Sequence, residues 1–232
     1  SRGEYDPRAD ALCMLADYDA HCPNALFAER PSNWLTRDDA YALQDAVALL
    51  RRARGERCIG YKIGRVSPSI QAQLGRDGPV RGRLWSTEAH VAGCRLRRDV
   101  FSNLAIEGEI ALLLSCDLPP DLTDEQDLSR CVDSWAPVIE LHNYVFRGAD
   151  QSREELIAGN AMHTGFVAAP SPWRPDHPKI AHAEIRVEIG GREADAANTD
   201  RLECGPIGSL RRLASLLALT GVEELRWQDH RC

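Results

Sequence analysis

The stretch Ile106-Glu107-Gly108-Glu109-Ile110-Ala111-Leu112-Leu113-Leu114 restricts the possible folds of this chain more than any other. Its second half is a continuous apolar run of strand length, so residues 107–114 read as a buried β-strand. Side chains alternate across a strand, which places Glu107 and Glu109 on one face. Two carboxylates that close repel each other and need solvent, a proton or a cation. A second apolar stretch, Pro137-Val138-Ile139-Glu140-Leu141-His142, reads as a strand over 138–144. It carries a third carboxylate, Glu140, with His142 on the same strand face. Three carboxylates meeting at one point would suit a hard cation such as Mg²⁺ or Mn²⁺. Spacing alone leaves the competing reading open, in which Glu107 and Glu109 are a solvated face and Glu140 is salt-bridged or His142 is a hydrogen-bonded core residue.

Elsewhere the pattern alternates between helical and extended periods. Residues 7–20 carry Ala, Leu and Met at three- and four-residue spacing, as a helix would. A second helix starts at Thr36, which can cap it, with Asp39 three residues on in an acidic version of the capping box. That helix runs to Arg54, buries Leu43, Val47 and Leu50, and stops at Gly55. Cys58 to Gly64 reads as a strand with Gly60 and Gly64 flanking Lys62. Residues 75–84 read as a loop. Residues 183–189 alternate strictly, with Glu184, Arg186 and Glu188 opposite Ile185, Val187 and Ile189, before a Gly190-Gly191 hairpin turn. A last helix opens at Pro206, carries a leucine stripe from Leu210 to Leu217 and ends at Gly221. Helices at the ends and strands in the middle predict an α+β fold, with a helical part over 1–55 and a β-rich body over 56–232.

Charge and cysteine usage narrow the partners. With 28 Lys and Arg against 35 Asp and Glu, the net charge is −7, which argues against nucleic acid or an anionic membrane as a partner. No apolar run approaches the roughly 18 residues of a membrane span. The eight cysteines form no C-x-x-C pair and lie in apolar segments, so they are expected to be reduced core residues of a cytoplasmic protein.

Lys62 sits between Tyr61 and Ile63 in an apolar strand. It is either a partly desolvated lysine able to move a proton or an ordinary one whose head reaches solvent. No histidine pair has zinc-ligand spacing, and no glycine-rich segment matches a P-loop or a dinucleotide fingerprint.

Four blocks occur in order: Leu35-Thr36-Arg37-Asp38-Asp39-Ala40-Tyr41-Ala42-Leu43-Gln44, Gly60-Tyr61-Lys62-Ile63-Gly64, Glu107-Gly108-Glu109-Ile110-Ala111 and Val138-Ile139-Glu140. Together they resemble the 2-keto-4-pentenoate hydratase family of the fumarylacetoacetate hydrolase superfamily, from about residue 30 to residue 221. The resemblance implies a rolled, mixed β-sheet with helices outside it and a helical N-terminal part. It implies Mg²⁺ or Mn²⁺ held by Glu107, Glu109 and Glu140, with Lys62 as the proton-transfer group. It also implies a small 2-oxo acid substrate and a homo-oligomer. Arg65, Ser67, Arg81, His142 and Asn160 are candidate pocket residues. The chain departs from the family pattern at Pro79-Val80-Arg81-Gly82, at His142-Asn143-Tyr144 and at Gly159-Asn160-Ala161-Met162, and it is shorter at its end. Hydration of a 2-hydroxy-dienoic acid is the leading expectation. Decarboxylation of the 4-oxalocrotonate type and a non-catalytic binding or assembly role stand beside it.

Overall fold

The structure, a computed structural model, describes residues 5–22, 25–31, 33–64, 78–118, 124–143, 151–170, 180–201 and 205–220. Among them are six α-helices: α1 Arg8–Asp19, α2 Ala25–Glu29, α3 Arg37–Ala53, α4 Glu125–Arg130, α5 Arg153–Ala158 and α6 Gly205–Leu219. The strands are β1 Cys58–Gly64, β2 Val80–Trp85, β3 Ala89–Val91, β4 Leu104–Leu114, β5 Val132–Asn143, β6 His163–Ala168, β7 Glu184–Ile189 and β8 Arg192–Asn198. Arg65, Ser67, Tyr144 and Gly221 lie outside the described residues.

Local chemistry explains α3. Thr36 Oγ1 accepts from the Asp39 amide at 3.2 Å, and the Thr36 amide donates to Asp39 Oδ2 at 3.1 Å. This reciprocal box satisfies two of the donors that a helix start leaves unpaired. Asp38 and Asp39 at the start and Arg51 and Arg52 at the end complement the helix dipole. Gly55 follows at φ +93°, the left-handed conformation that glycine adopts freely after a helix. The inward face of α3 carries Ala40, Tyr41 and Leu43. It joins Ala11 and Met14 of α1, Phe27 of α2, Val80 of β2, Ile157 of α5 and Leu216 of α6 in the main core. A second core lies under α4 and α6, around Leu128, Val132, Leu210 and Ala214.

The strand β2 corrects the expected loop over 75–84 at residues 80–84. It pairs antiparallel with β1, Lys62 opposite Gly82. Its arginines point inward, which removes the apolar alternation by which a strand is recognised. Arg81 is fully buried, bonded to Gln44 and stacked 4.5 Å from the Tyr41 ring. Arg83 donates to Gln44 Oε1 at 3.0 Å and to Asp45 Oδ1 at 2.7 Å. Buried guanidinium groups survive there because α3 supplies acceptors for them. Arg81, expected near the pocket, instead fastens β2 to α3.

The central sheet is mixed, in the order β3-β6-β5-β4. β3 runs parallel to β6, and the other pairs are antiparallel. β7 and β8 form the expected hairpin, with Gly190 and Gly191 both at positive φ, 61° and 76°. Ile185 and Val187 of β7 close onto β4 at Gly108. A Cβ there would lie 2.8 Å from Val187 Cγ2 and 2.9 Å from Ile185 Cγ2. Both neighbours are β-branched and stiff at χ1, so neither can swing aside cheaply. Gly108→Ala should therefore lower the unfolding free energy by about 1–3 kcal/mol. A urea midpoint within error of the parent would contradict that packing.

The cysteines also differ from expectation. Of the six that are described, only Cys131 is buried, whereas Cys13, Cys22, Cys94 and Cys116 are exposed.

Candidate metal and proton-transfer site

Three adjacent strands and one crossing strand build the site. The β4–β5 register sets Glu107 directly opposite Glu140. The β5–β6 register sets His142 opposite His163, after a one-residue slip between Leu141 and His142. Such a slip re-aims the side chains beside it. β1 brings Lys62 across to the same point.

Glu140 is the centre of the cluster and only 5% exposed. Its Oε1 lies 2.6 Å from Lys62 Nζ and 2.6 Å from His163 Nδ1. Its Oε2 lies 3.1 Å from His142 Nε2. Lys62 Nζ is also 3.2 Å from His142 Nε2, and His142 Nδ1 is 3.6 Å from Glu107 Oε1. Burial alone would push the Glu140 carboxyl up. The hydrogen bonds from His142 and His163 and the charge of Lys62 outweigh it and hold Glu140 well below the usual carboxylate range.

Glu109 behaves in the opposite way. Much of its surface is open to solvent, yet its carboxyl stands in a cavity with protein on several sides. Desolvation, then the nearby charge of Glu140, push it up to about 7. A group whose folded pKa is raised holds a proton that the unfolded chain has released. Metal-free protein should therefore lose stability on account of Glu109 as pH rises from the free-glutamate value, roughly 4.3, towards 7. Glu140 has the opposite sign. Its contribution is complete above the free-glutamate value and drains away as pH falls towards its depressed pKa. Urea midpoints between pH 5 and 8 in the presence of a chelator test the first statement. Glu109→Gln should flatten the decline, and an equally steep decline in that variant would assign it to another group.

The residues expected from sequence fall into different places. Glu107, Glu140 and His142 each offer a ligand atom, and those atoms all lie within 4.8 Å of one another. Lys62 touches this group, while Glu109 is not part of it. The donor set of carboxylate oxygens and one imidazole fits a divalent cation. Asn160 is committed elsewhere. Its Oδ1 accepts from the Arg83 amide at 2.7 Å and its Nδ2 donates to the Arg83 carbonyl at 2.9 Å. That clamp fixes three consecutive left-handed residues, Asn160, Ala161 and Met162, at φ 56°, 54° and 62°. Left-handed backbone costs an L-residue roughly 1–2 kcal/mol each, so the turn depends on the clamp and on packing. Gly82 permits the close approach, since a Cβ there would lie 2.6 Å from the Asn160 carbonyl oxygen.

Sequence reasoning missed His163, buried and in contact with Glu140. No local pattern marks it, because its neighbour is set by the β5–β6 register. Lys62, Glu109, Glu140 and His163 line a cavity of about 650 Å³, whose other walls include Ile59, Leu112, Ile185 and Leu213. The lining also includes the charged Arg52, Glu56 and Arg57, and this mixture of apolar walls and charged groups suits a small polar ligand with a hydrocarbon part.

No family model matches the chain. The 2-keto-4-pentenoate hydratase 2 of Dechloromonas aromatica (strain RCB) is 32% identical over 185 residues, which is 80% of this chain and 71% of that protein. The TodF product hydratase of Pseudomonas putida is 32% identical over 135 residues, covering 58% of this chain. The match spans 50% of that hydratase's own length. In structure, the 4-oxalocrotonate decarboxylase from Pseudomonas putida G7, solved with magnesium and adipate, superposes with a TM-score of 0.83 at 22% identity. That match covers 93% of this chain and 81% of the decarboxylase. The α+β fold expected from the sequence is thus the fold of that protein. With the four blocks, the fold and the hydratase of comparable length in agreement, the chain belongs to the 2-keto-4-pentenoate hydratase family.

Proposed function

We propose that this chain is a divalent-metal-dependent lyase that adds water to a short 2-hydroxy-dienoic or 2-oxo-enoic acid. The observation that carries this reading is the buried contact between Lys62 and Glu140, which line the cavity together with Glu109. Glu107, Glu109 and Glu140 are the oxygen donors for Mg²⁺ or Mn²⁺. When bound, the cation supplies positive charge that favours the enolate form of a 2-oxo acid. Lys62 is the proton carrier: its ammonium sits among groups that hold it in place, and its stem reaches the cavity from β1. The apolar walls exclude bulk water and receive the hydrocarbon end of the substrate. The same reading includes a cytoplasmic protein that assembles as a homo-oligomer. It also includes substrate contacts from His142 and Asn160 and from Arg65 and Ser67, the last two outside the described residues.

Incubation with 2-hydroxypenta-2,4-dienoate and separately with 4-oxalocrotonate, with and without Mg²⁺, tests the proposal. Metal-dependent loss of the dienoate without CO₂ is the expected result. CO₂ release from 4-oxalocrotonate, with the dienoate untouched, would make the chain a decarboxylase. No turnover of either acid would overturn the enzymatic reading.

A further inference from the structure

We propose that Cys116 and Cys131 are a modification site: two thiols placed to join as a reversible disulfide that ties the end of β4 to the start of β5 across α4. The proposal is independent of the metal site and of the activity proposed above.

The strand ladder sets the two residues side by side. β4 and β5 pair as far as Leu114 opposite Val132. The backbone contact continues one step further. The Ser115 amide donates to the Cys131 carbonyl at 2.8 Å, and Ser115 Oγ donates to the same oxygen at 3.2 Å. Cys116 is therefore one residue beyond the partner of Cys131. Strand spacing puts neighbours offset by one residue about 6 Å apart between Cα atoms. That lies within the roughly 4.4–6.8 Å that a disulfide spans. The side chains also meet, because the two thiols share a hydrogen bond. It keeps the proton on Cys131 and, with burial, pushes that thiol up to about 11.

The two cysteines differ in access, which sets the order of events. Cys116 is exposed, while Cys131 is buried in the second core with Leu118, Leu128, Val132 and Leu210. A low-molecular-weight disulfide such as oxidised glutathione therefore meets Cys116 first. The Cys116 thiolate attacks it, forms a mixed disulfide and releases one thiol. Cys131 then gives up its proton and attacks Cys116 Sγ. The bond from Cys116 to the small molecule breaks as the Cys116–Cys131 bond forms, and a second thiol leaves. The protein loses two electrons and two protons, and the external disulfide becomes two thiols. The new bond closes a loop of about 15 residues around α4, a length at which a cross-link restricts the unfolded chain substantially. Through α4 it also steadies α6, since Arg211 Nη1 lies 3.6 Å from Glu125 Oε1 and Leu210 belongs to both the second core and the cavity wall.

The test exposes the full chain to mixtures of reduced and oxidised glutathione, quenches with acid, alkylates the remaining thiols and maps linked peptides by mass spectrometry. The folded parent should yield a Cys116–Cys131 linkage that dithiothreitol removes. Its thermal midpoint should be about 5–10 °C higher oxidised than reduced. Cys131→Ala should stop at glutathione on Cys116. Cys116→Ser, a change at an exposed position, should leave Cys131 unmodified and abolish the midpoint shift. The parent unfolded in urea should give at least about tenfold less of this linkage in the same mixture, because the fold supplies the proximity. Glutathione alone on Cys116 of the folded parent, linkage chiefly to another cysteine, or equal linkage in urea overturns the proposal. So does an undiminished midpoint shift in Cys116→Ser.

Discussion

Glu140→Gln should reduce turnover of 2-hydroxypenta-2,4-dienoate by at least about 10³-fold, since it removes an anionic oxygen donor and the ion partner of Lys62 together. It should also lower the unfolding free energy by about 3 kcal/mol, because one member of a buried pair remains without its counter-charge. The two effects have separate readouts. Steady-state rates at saturating Mg²⁺ report the first and urea unfolding the second. A variant that keeps a tenth of the parent rate would show that Glu140 holds the fold and nothing more. The neighbours sharpen the expectation, because Glu140 accepts from Lys62, His142 and His163 together. A glutamine in its place retains one acceptor oxygen and turns a donor on groups that are themselves donors.

Lys62→Met should cost about 10²–10⁴-fold in turnover, the range associated with a positioned proton-transfer group. Methionine keeps most of the apolar stem and removes the ammonium. Its effect on the metal should run the other way. Lys62 competes with any cation for Glu140 Oε1, so its removal should leave Mg²⁺ affinity unchanged or raised. Calorimetry on the same preparation separates the two. Parallel loss of rate and of metal affinity would make Lys62 a scaffold for the site rather than its proton carrier.

Much of this arrangement is legible in the chain itself, and the boundary between what is legible and what is not has a physical cause. The capping box at Thr36 and Asp39 can be read because both partners lie within one turn. The hairpin β7–β8 can be read because strict alternation and a Gly-Gly turn mark it locally, although a shift between Val187 and Glu188 alters its register. The Lys62 strand and the carboxylates of β4 and β5 can be read for the same reason: period and spacing are properties of neighbours in sequence. β2 cannot. Its strand character depends on Gln44 and Asp45 of α3 accepting from Arg81 and Arg83, and a buried guanidinium looks like a surface residue until its acceptors are known. His163 and the convergence on His142 depend on a β5–β6 register with a slip in it, set by residues more than twenty positions apart. Glu109 shows the limit from the other side. Its place on the strand is legible, but whether it joins Glu107 at the convergence point depends on where β1 and β6 carry Lys62 and His163.

The register of β4 against β5 has a wider consequence. By setting Glu107 opposite Glu140, the strand pair places like charges where cross-strand neighbours normally repel. The folded chain therefore holds a standing demand for positive charge at that point, met internally by one lysine and two histidines. Any cation that binds there, and not to the unfolded chain, adds stability by mass action, about 2.7 kcal/mol at a hundredfold excess over its dissociation constant. Chains made under metal starvation would open more often and fall to proteases sooner. The steady-state amount of this protein would then follow the supply of its ion without any dedicated sensor, the strand pair itself acting as the gauge.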